Sequence, residues 1–119
     1  SLSDYAGKAD LILLDVPCSN TGVLARRVEA RYRFDREHLE RLAATQRQII
    51  ADSMRLPNKG ACLLYSTCSL DPAENQEQIM WTSRWHGLRP AREHDRLPEG
   101  LPGEGPEKYS DGSFAALMH

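Results

Sequence analysis

Two cysteines stand in polar segments that directly follow apolar runs. Cys18 lies in Asp15-Val16-Pro17-Cys18-Ser19-Asn20-Thr21-Gly22, and Cys68 in Tyr65-Ser66-Thr67-Cys68-Ser69. Each run reads as a buried strand, so each cysteine is expected on the loop at a strand's C-terminal end. In an open α/β sheet that edge is where ligands bind. Two thiols delivered to one edge point to thiolate chemistry rather than core filling. Cys62 is different: it lies inside the second apolar run and reads as a small core residue. Three cysteines, an odd number in a chain of ordinary composition, do not make a disulfide framework. Free thiols fit a reducing cytosol, and cytoplasmic localisation is expected. There is no Cys-x-x-Cys pair, so a zinc site that also draws on His38 or His86 is not expected. A cysteine hydrolase needs a paired histidine, and none falls next to an expected strand end.

The elements that must position these thiols follow from pattern. Ala9–Asp15 is apolar without alternation, which suits a parallel strand buried on both faces. A loop from Val16 to Phe34 follows, with Gly22 permitting a turn. A helix is expected from a capping Asp35, with Leu39, Leu42, Ala43, Ile49, Ile50 and Met54 forming one stripe. Gln46 interrupts that stripe; a buried amide there needs a partner, and the backbone of the Pro17–Cys18 loop is the expected one. The helix should stop by Leu56, ahead of Pro57, with a turn at Asn58-Lys59-Gly60. Ala61–Ser66 reads as the second strand. Asp71-Pro72-Ala73-Glu74 has the form of a helix start, with Asp71 as cap and Glu74 completing a capping box. That helix is expected to reach Trp85 and end at His86-Gly87, with Trp81 and Trp85 on one packing face. Further strands are expected at Gly87–Arg92 and Ser113–Leu117, joined by a Pro- and Gly-rich surface loop. The order is α/β, with a right-handed parallel crossover.

The 119-residue chain suits one domain with a modest core, and its formal net charge of −2 does not by itself suggest nucleic acid. The distribution says more. Arg26, Arg27, Arg31, Arg33 and Arg36 crowd around Tyr32 and Phe34. Such a stretch is either a solvated charged loop or a phosphate-contacting loop with aromatic faces for bases. No signal peptide, lipidation motif or long apolar span is visible.

The Asp-Val-Pro-Cys and Ser-Thr-Cys-Ser motifs, in this order on expected strand ends, resemble those of the RNA cytosine-C5 methyltransferases of the Nol1/Nop2/Sun family. Gln46, Asn58-Lys59-Gly60, Pro72-Ala73-Glu74-Asn75 and Asp111-Gly112-Ser113-Phe114 extend the resemblance over nearly the whole chain. The resemblance implies the C-terminal half of a Rossmann-like class I S-adenosylmethionine-dependent methyltransferase fold, with residues 1–119 as the C-terminal part of the catalytic domain. It implies that Cys68 is the nucleophile, Cys18 the residue of adduct release, and Asp15 the acid that holds the cytosine edge. Pro17, Ser19, Arg26, Arg27 and Thr67 then become substrate contacts, and Asp15 and Pro17 also border the S-adenosylmethionine site. Cys68 is also expected just ahead of a helix N-terminus, where the positive dipole end favours thiolate. The implied partner is ribosomal or transfer RNA, with ribosomal RNA favoured.

Two other classes of function compete with this one. A non-catalytic RNA-binding or assembly module would keep the sheet without the chemistry, yet nucleophile and acid are both present. A thiol redox domain would cycle Cys18 and Cys68 as a disulfide. An exposed strand edge also invites pairing with a second copy, so a homodimer is an expectation. The family's Gly-rich turn and the acid after its next strand do not occur here, so methyl transfer by this chain alone is not expected. Measurable S-adenosylmethionine turnover by the 119-residue chain would overturn that.

Overall fold

The apolar runs pair as parallel strands, as their lack of alternation suggested. The computed structural model describes residues 2–19, 36–97 and 112–119. After a short 3-10 turn at Leu2–Tyr5 come β1 (Ala9–Asp15), α1 (Arg36–Ser53), β2 (Pro57–Thr67), α2 (Gln76–His86), β3 (Pro90–Arg96) and β4 (Ser113–Met118). The sheet order is β1-β2-β4-β3. β1 and β2 are parallel, and β4 runs antiparallel to both β2 and β3.

Register decides which side chains share a face. Ile12 is opposite Leu63, Leu63 opposite Met118, Tyr65 opposite Ala116, and Thr67 opposite Phe114. With a period of two, these residues line one face of the sheet. They are buried, and Ile50 of α1 and Ile79 of α2 complete the same core. Tyr65 and Phe114 meet edge to face at 6.5 Å between centroids.

The opposite face corrects an expectation. β1 was read as buried on both sides, but Leu11 is 53% and Leu13 65% exposed. Cys62, Leu64, Ala115 and Leu117, which alternate onto the same face, are half-buried. Both helices contribute to the core on the other face. An uninterrupted apolar run shows that a strand tolerates cover on two sides; it does not supply the second cover. Cys62 is accordingly half-buried rather than a core residue.

Three boundaries also shift. Asn58-Lys59-Gly60 is not a separate turn: β2 begins at Pro57, and pairing jumps from Ala9–Pro57 to Leu11–Cys62 across an irregularity. Gly60 takes φ +92° there, in the left-handed region that only glycine enters without strain. The regular part of α2 begins at Gln76, after a turn over Asp71–Asn75. Asp71 Oδ1 does accept from the Ala73 N–H at 2.8 Å, as a cap should, but Glu74 turns inward instead of closing the capping box. Gly87 ends α2 in the left-handed region (φ +71°), with its N–H on Ser83 O, so β3 starts at Pro90 rather than at Gly87. Trp81 is half-buried under the Arg47 guanidinium, 5.2 Å from its ring, whereas Trp85 is 67% exposed; the two do not share one packed face.

The contrast between the two faces predicts mutational cost. In urea denaturation of this chain, Ile50→Ala is expected to lose about 3 kcal/mol. Leu13→Ala is expected to stay within about 0.5 kcal/mol. Equal losses would mean that Leu13 is covered.

Candidate active site

β1 and β2 are parallel and stay in register to the end of β1, with Leu14 opposite Tyr65 and Asp15 opposite Ser66. Their chains therefore leave the sheet at one edge. The Val16 N–H carries the pairing one step further, to Ser66 O at 3.2 Å. The loops 16–19 and 68–70 run side by side from there. The Cys68 N–H donates to Cys18 Sγ at 3.3 Å. Neither cysteine is in a disulfide; Cys18 is half-buried and Cys68 exposed. Asp15 is exposed at the end of β1, and its Oδ1 accepts from Ser66 Oγ at 3.1 Å. Pro17 is exposed, and its carbonyl accepts from Gln46 Nε2 at 2.9 Å. The interrupted stripe of α1 is thus explained as expected: the amide holds the loop of the first cysteine.

Beneath the two loops lies a fully buried carboxylate. Glu74 Oε1 accepts from the Ser19 N–H at 2.7 Å and from Gln46 Nε2 at 3.2 Å. Its Oε2 accepts from Ser19 Oγ at 2.6 Å and from Ser69 Oγ. Burying a carboxylate without partners costs several kcal/mol, so these donors are a condition of the fold. The surroundings hold the donors in turn. Gln46 Oε1 accepts from Gln78 Nε2 at 3.0 Å, Gln78 Nε2 also donates to Ala43 O at 2.9 Å, and Arg47 Nε donates to Gln78 Oε1 at 2.8 Å. With both its amide protons and its carbonyl engaged, Gln46 has one orientation. A second ring shapes the Cys68 loop. Thr67 Oγ1 donates to Asn75 Oδ1 at 2.6 Å and accepts from the Ser69 N–H at 3.1 Å, while Asn75 Nδ2 donates to Ser69 O at 2.8 Å.

The expected site residues divide accordingly. Asp15, Pro17, Cys18 and Cys68 come together at one edge. Ser19 and Thr67, expected as substrate contacts, are 6% and 2% exposed, and their hydroxyls are turned to Glu74 and Asn75. They shape the loops from below. Arg26, Arg27 and the rest of the basic stretch before Arg36, with Asp35 and Gly22, lie outside the described residues. Because α2 begins at Gln76, the first-turn placement behind the helix-dipole expectation for Cys68 is absent. Glu74, Asn75 and Gln78 were missed as members of the site. A signal was available: Glu74, Gln78 and Thr82 recur every four residues and are all fully buried, while Met80 and Trp85 are exposed. A polar stripe is thus buried beside Ile79, which a capping-box reading of Glu74 conceals.

Tyr65 joins the core to the site. Its hydroxyl donates to Glu74 O at 2.6 Å, with Gln46 Oε1 at 3.3 Å. Burial pushes its phenol well above the ordinary value, and the negative charges of Glu74 and Cys18 add to the rise. A raised folded-state pKa gives stability that is complete below the unfolded value, about 10, and falls as pH rises beyond it. Tyr65→Phe is expected to cost about 1–2 kcal/mol at neutral pH. That gap should hold up to about pH 9.5 and narrow from about pH 10 to pH 11 in urea titrations, since only the parent loses the phenol's share. A gap that does not change with pH would contradict this account.

Residues 1–94 match the family described as 16S rRNA methyltransferase RsmB/F. Ribosomal RNA small subunit methyltransferase B of Proteus mirabilis is 36% identical over 111 residues, 92% of this chain and 25% of the relative. Ribosomal RNA small subunit methyltransferase F of Salmonella heidelberg is 32% identical over 120 residues, again 92% of this chain and 25% of the relative. The chain thus spans about a quarter of the length of these relatives. Among solved structures, NSun6 from Pyrococcus horikoshii with SFG superposes with a TM-score of 0.73 at 27% identity, covering 99% of this chain and 32% of that one. The α/β sheet is accordingly of the Rossmann-like kind seen in Sun-family methyltransferases. Since the match runs through both cysteine loops and the buried carboxylate that joins them, the chain belongs to the 16S rRNA methyltransferase RsmB/F family.

Proposed function

We propose that this chain carries the catalytic edge of an RNA cytosine-C5 methyltransferase that acts on ribosomal RNA. The observation that carries the proposal is an exposed Cys68 whose N–H meets the half-buried Cys18 thiol at 3.3 Å, beside the exposed Asp15 carboxylate. The edge also fits a methyl donor. An exposed carboxylate and an exposed proline ring at the carboxyl end of a parallel strand offer one polar and one apolar contact where such sheets take ligands. Asp15 and Pro17 would border S-adenosylmethionine, and SFG, its analogue in the NSun6 structure, is consistent with that donor. When bound, the donor supplies an electrophilic methyl group on sulfur.

Carbon 5 of cytosine is a poor nucleophile. The Cys68 thiolate adds to carbon 6, forming an S–C bond while the C5–C6 π pair moves onto carbon 5. Asp15, as its carboxylic acid, donates a hydrogen bond to N3 and so offsets the negative charge that develops on the ring. The carbon-5 pair is then poised to bond the methyl group that a bound donor would supply, with the methyl–sulfur bonding pair staying on the donor's sulfur as a thioether. For release, the Cys18 thiolate takes the proton on carbon 5. The freed C–H pair re-forms the C5–C6 double bond, the S–C6 bond breaks, and Cys68 departs as thiolate. The accessibility of the two thiols suits these roles: the exposed one meets the base, and the recessed one stays beside it.

The test uses the full-length protein with its RNA and S-adenosylmethionine. Cys18→Ala is expected to accumulate a protein–RNA adduct that survives denaturation, and Cys18→Ala with Cys68→Ala is expected to abolish it. Asp15→Asn is expected to slow adduct formation by about 100-fold. Methyl transfer that persists without Cys68, with no adduct in either variant, would overturn the proposal.

A further inference from the structure

Glu74 is bonded to the residue that follows each thiol. Ser19, next to Cys18, gives it both its N–H and its hydroxyl, at 2.7 and 2.6 Å. Ser69, next to Cys68, gives it a hydroxyl. The carboxylate is 0% exposed, so it meets no ligand. It is also held from behind, through Gln46 Nε2 on Oε1 and through the Tyr65 hydroxyl on its own carbonyl at 2.6 Å. One rigid anion thereby grips both loops, from the side away from solvent.

We infer that Glu74 is a positioning residue that sets the Cys18 and Cys68 loops against each other, an inference that rests on the thiol roles proposed above. The two attachments divide by step. The Ser69 attachment governs where Cys68 stands when its sulfur bonds to carbon 6. The Ser19 attachment governs where Cys18 stands when it takes the carbon-5 proton and Cys68 is expelled. The Cys68 N–H on Cys18 Sγ links the two, so a loop that drifts changes the approach of both sulfurs. A displacement of about 1 Å at a reacting group is enough to lower a rate by about 100-fold.

The two attachments are separable by mutation, in the full-length protein with RNA and S-adenosylmethionine. Ser19→Ala keeps the backbone N–H bond and is expected to impair release, so the denaturation-resistant adduct rises by about tenfold over the parent. Ser69→Ala is expected to slow adduct formation by about tenfold without accumulation. Ser19→Thr and Ser69→Thr restore the hydroxyls and are expected to recover the parent's behaviour. Glu74→Gln loses the anion shared by both attachments and should impair both steps. If that variant fails to fold, the serine variants still decide. The rate of Cys68 alkylation by iodoacetamide gives a readout without RNA; it is expected to change in Ser69→Ala more than in Ser19→Ala. Serine variants that lower formation and release by one common factor, in step with a fall in thermal midpoint, would overturn the positioning role. So would serine variants indistinguishable from the parent. Cys18→Ala and Cys68→Ala are run beside them: if these controls fail, the thiol roles are wrong, whereas normal controls with undifferentiated serine variants condemn Glu74 alone.

Discussion

An anion cannot be buried in the middle of a small domain unless several donors are brought to it, and in this protein those donors come from distant parts of the chain. Ser19 lies after β1, Gln46 in the middle of α1, and Ser69 after β2, while Glu74 itself precedes α2. Each donor removed leaves the charge less compensated in a region of low dielectric. The penalty therefore couples segments that lie far apart in the sequence. The sheet and helices bring these segments close, and the carboxylate determines how the loops meet. Hydrophobic burial is non-directional. It cannot distinguish a loop in the right place from one displaced slightly, whereas a set of hydrogen bonds to two oxygens can.

The architecture explains why the grip is placed where it is. Parallel strands deliver their carboxyl ends to one edge, and the helices that follow them return along one face. The core of Ile12, Ile50, Leu63, Tyr65 and Ile79 supports the loops from that face. Tyr65 spans the two regions: its ring packs on Phe114, and its hydroxyl ends at Glu74. The polar cluster is thus continuous with the apolar core, and disturbance of either is felt by the other. The exposed groups, Asp15, Pro17 and Cys68, stand on the far side of this support.

Much of this was legible in the sequence, for reasons that differ between residues. The parallel strands were legible because unbroken apolar runs admit few alternatives. Gln46 was legible because an amide inside an apolar stripe must find a partner, and the loop after β1 was within reach. Glu74 was misread because Asp71-Pro72-Ala73-Glu74 satisfies a local rule, and a local rule gives no hint of donors many residues away. Ser19 and Thr67 were expected as substrate contacts because the family resemblance implies it; here hydrogen bonds to Glu74 and Asn75 turn their hydroxyls inward. Leu11 and Leu13 show a different limit. Side-chain type reveals tolerance of burial, but whether anything covers a face depends on other elements. The shift at Asn58–Gly60 had a similar cause, since turn-forming residues also suit an irregularity within a strand.

The position of β4 has a bearing on the time course of assembly. It comes last among the described strands but lies between β2 and β3, with Thr67 opposite Phe114. Before β4 arrives, β3 has no described neighbour in the sheet, and the strand leading to Cys68 keeps an open edge. Pairings between such distant segments form slowly. During synthesis, at roughly 5–20 residues per second, that edge stays unpaired for seconds. The nascent chain thus passes through a stage in which its apolar half-sheet is available to chaperones, and equally to neighbouring chains.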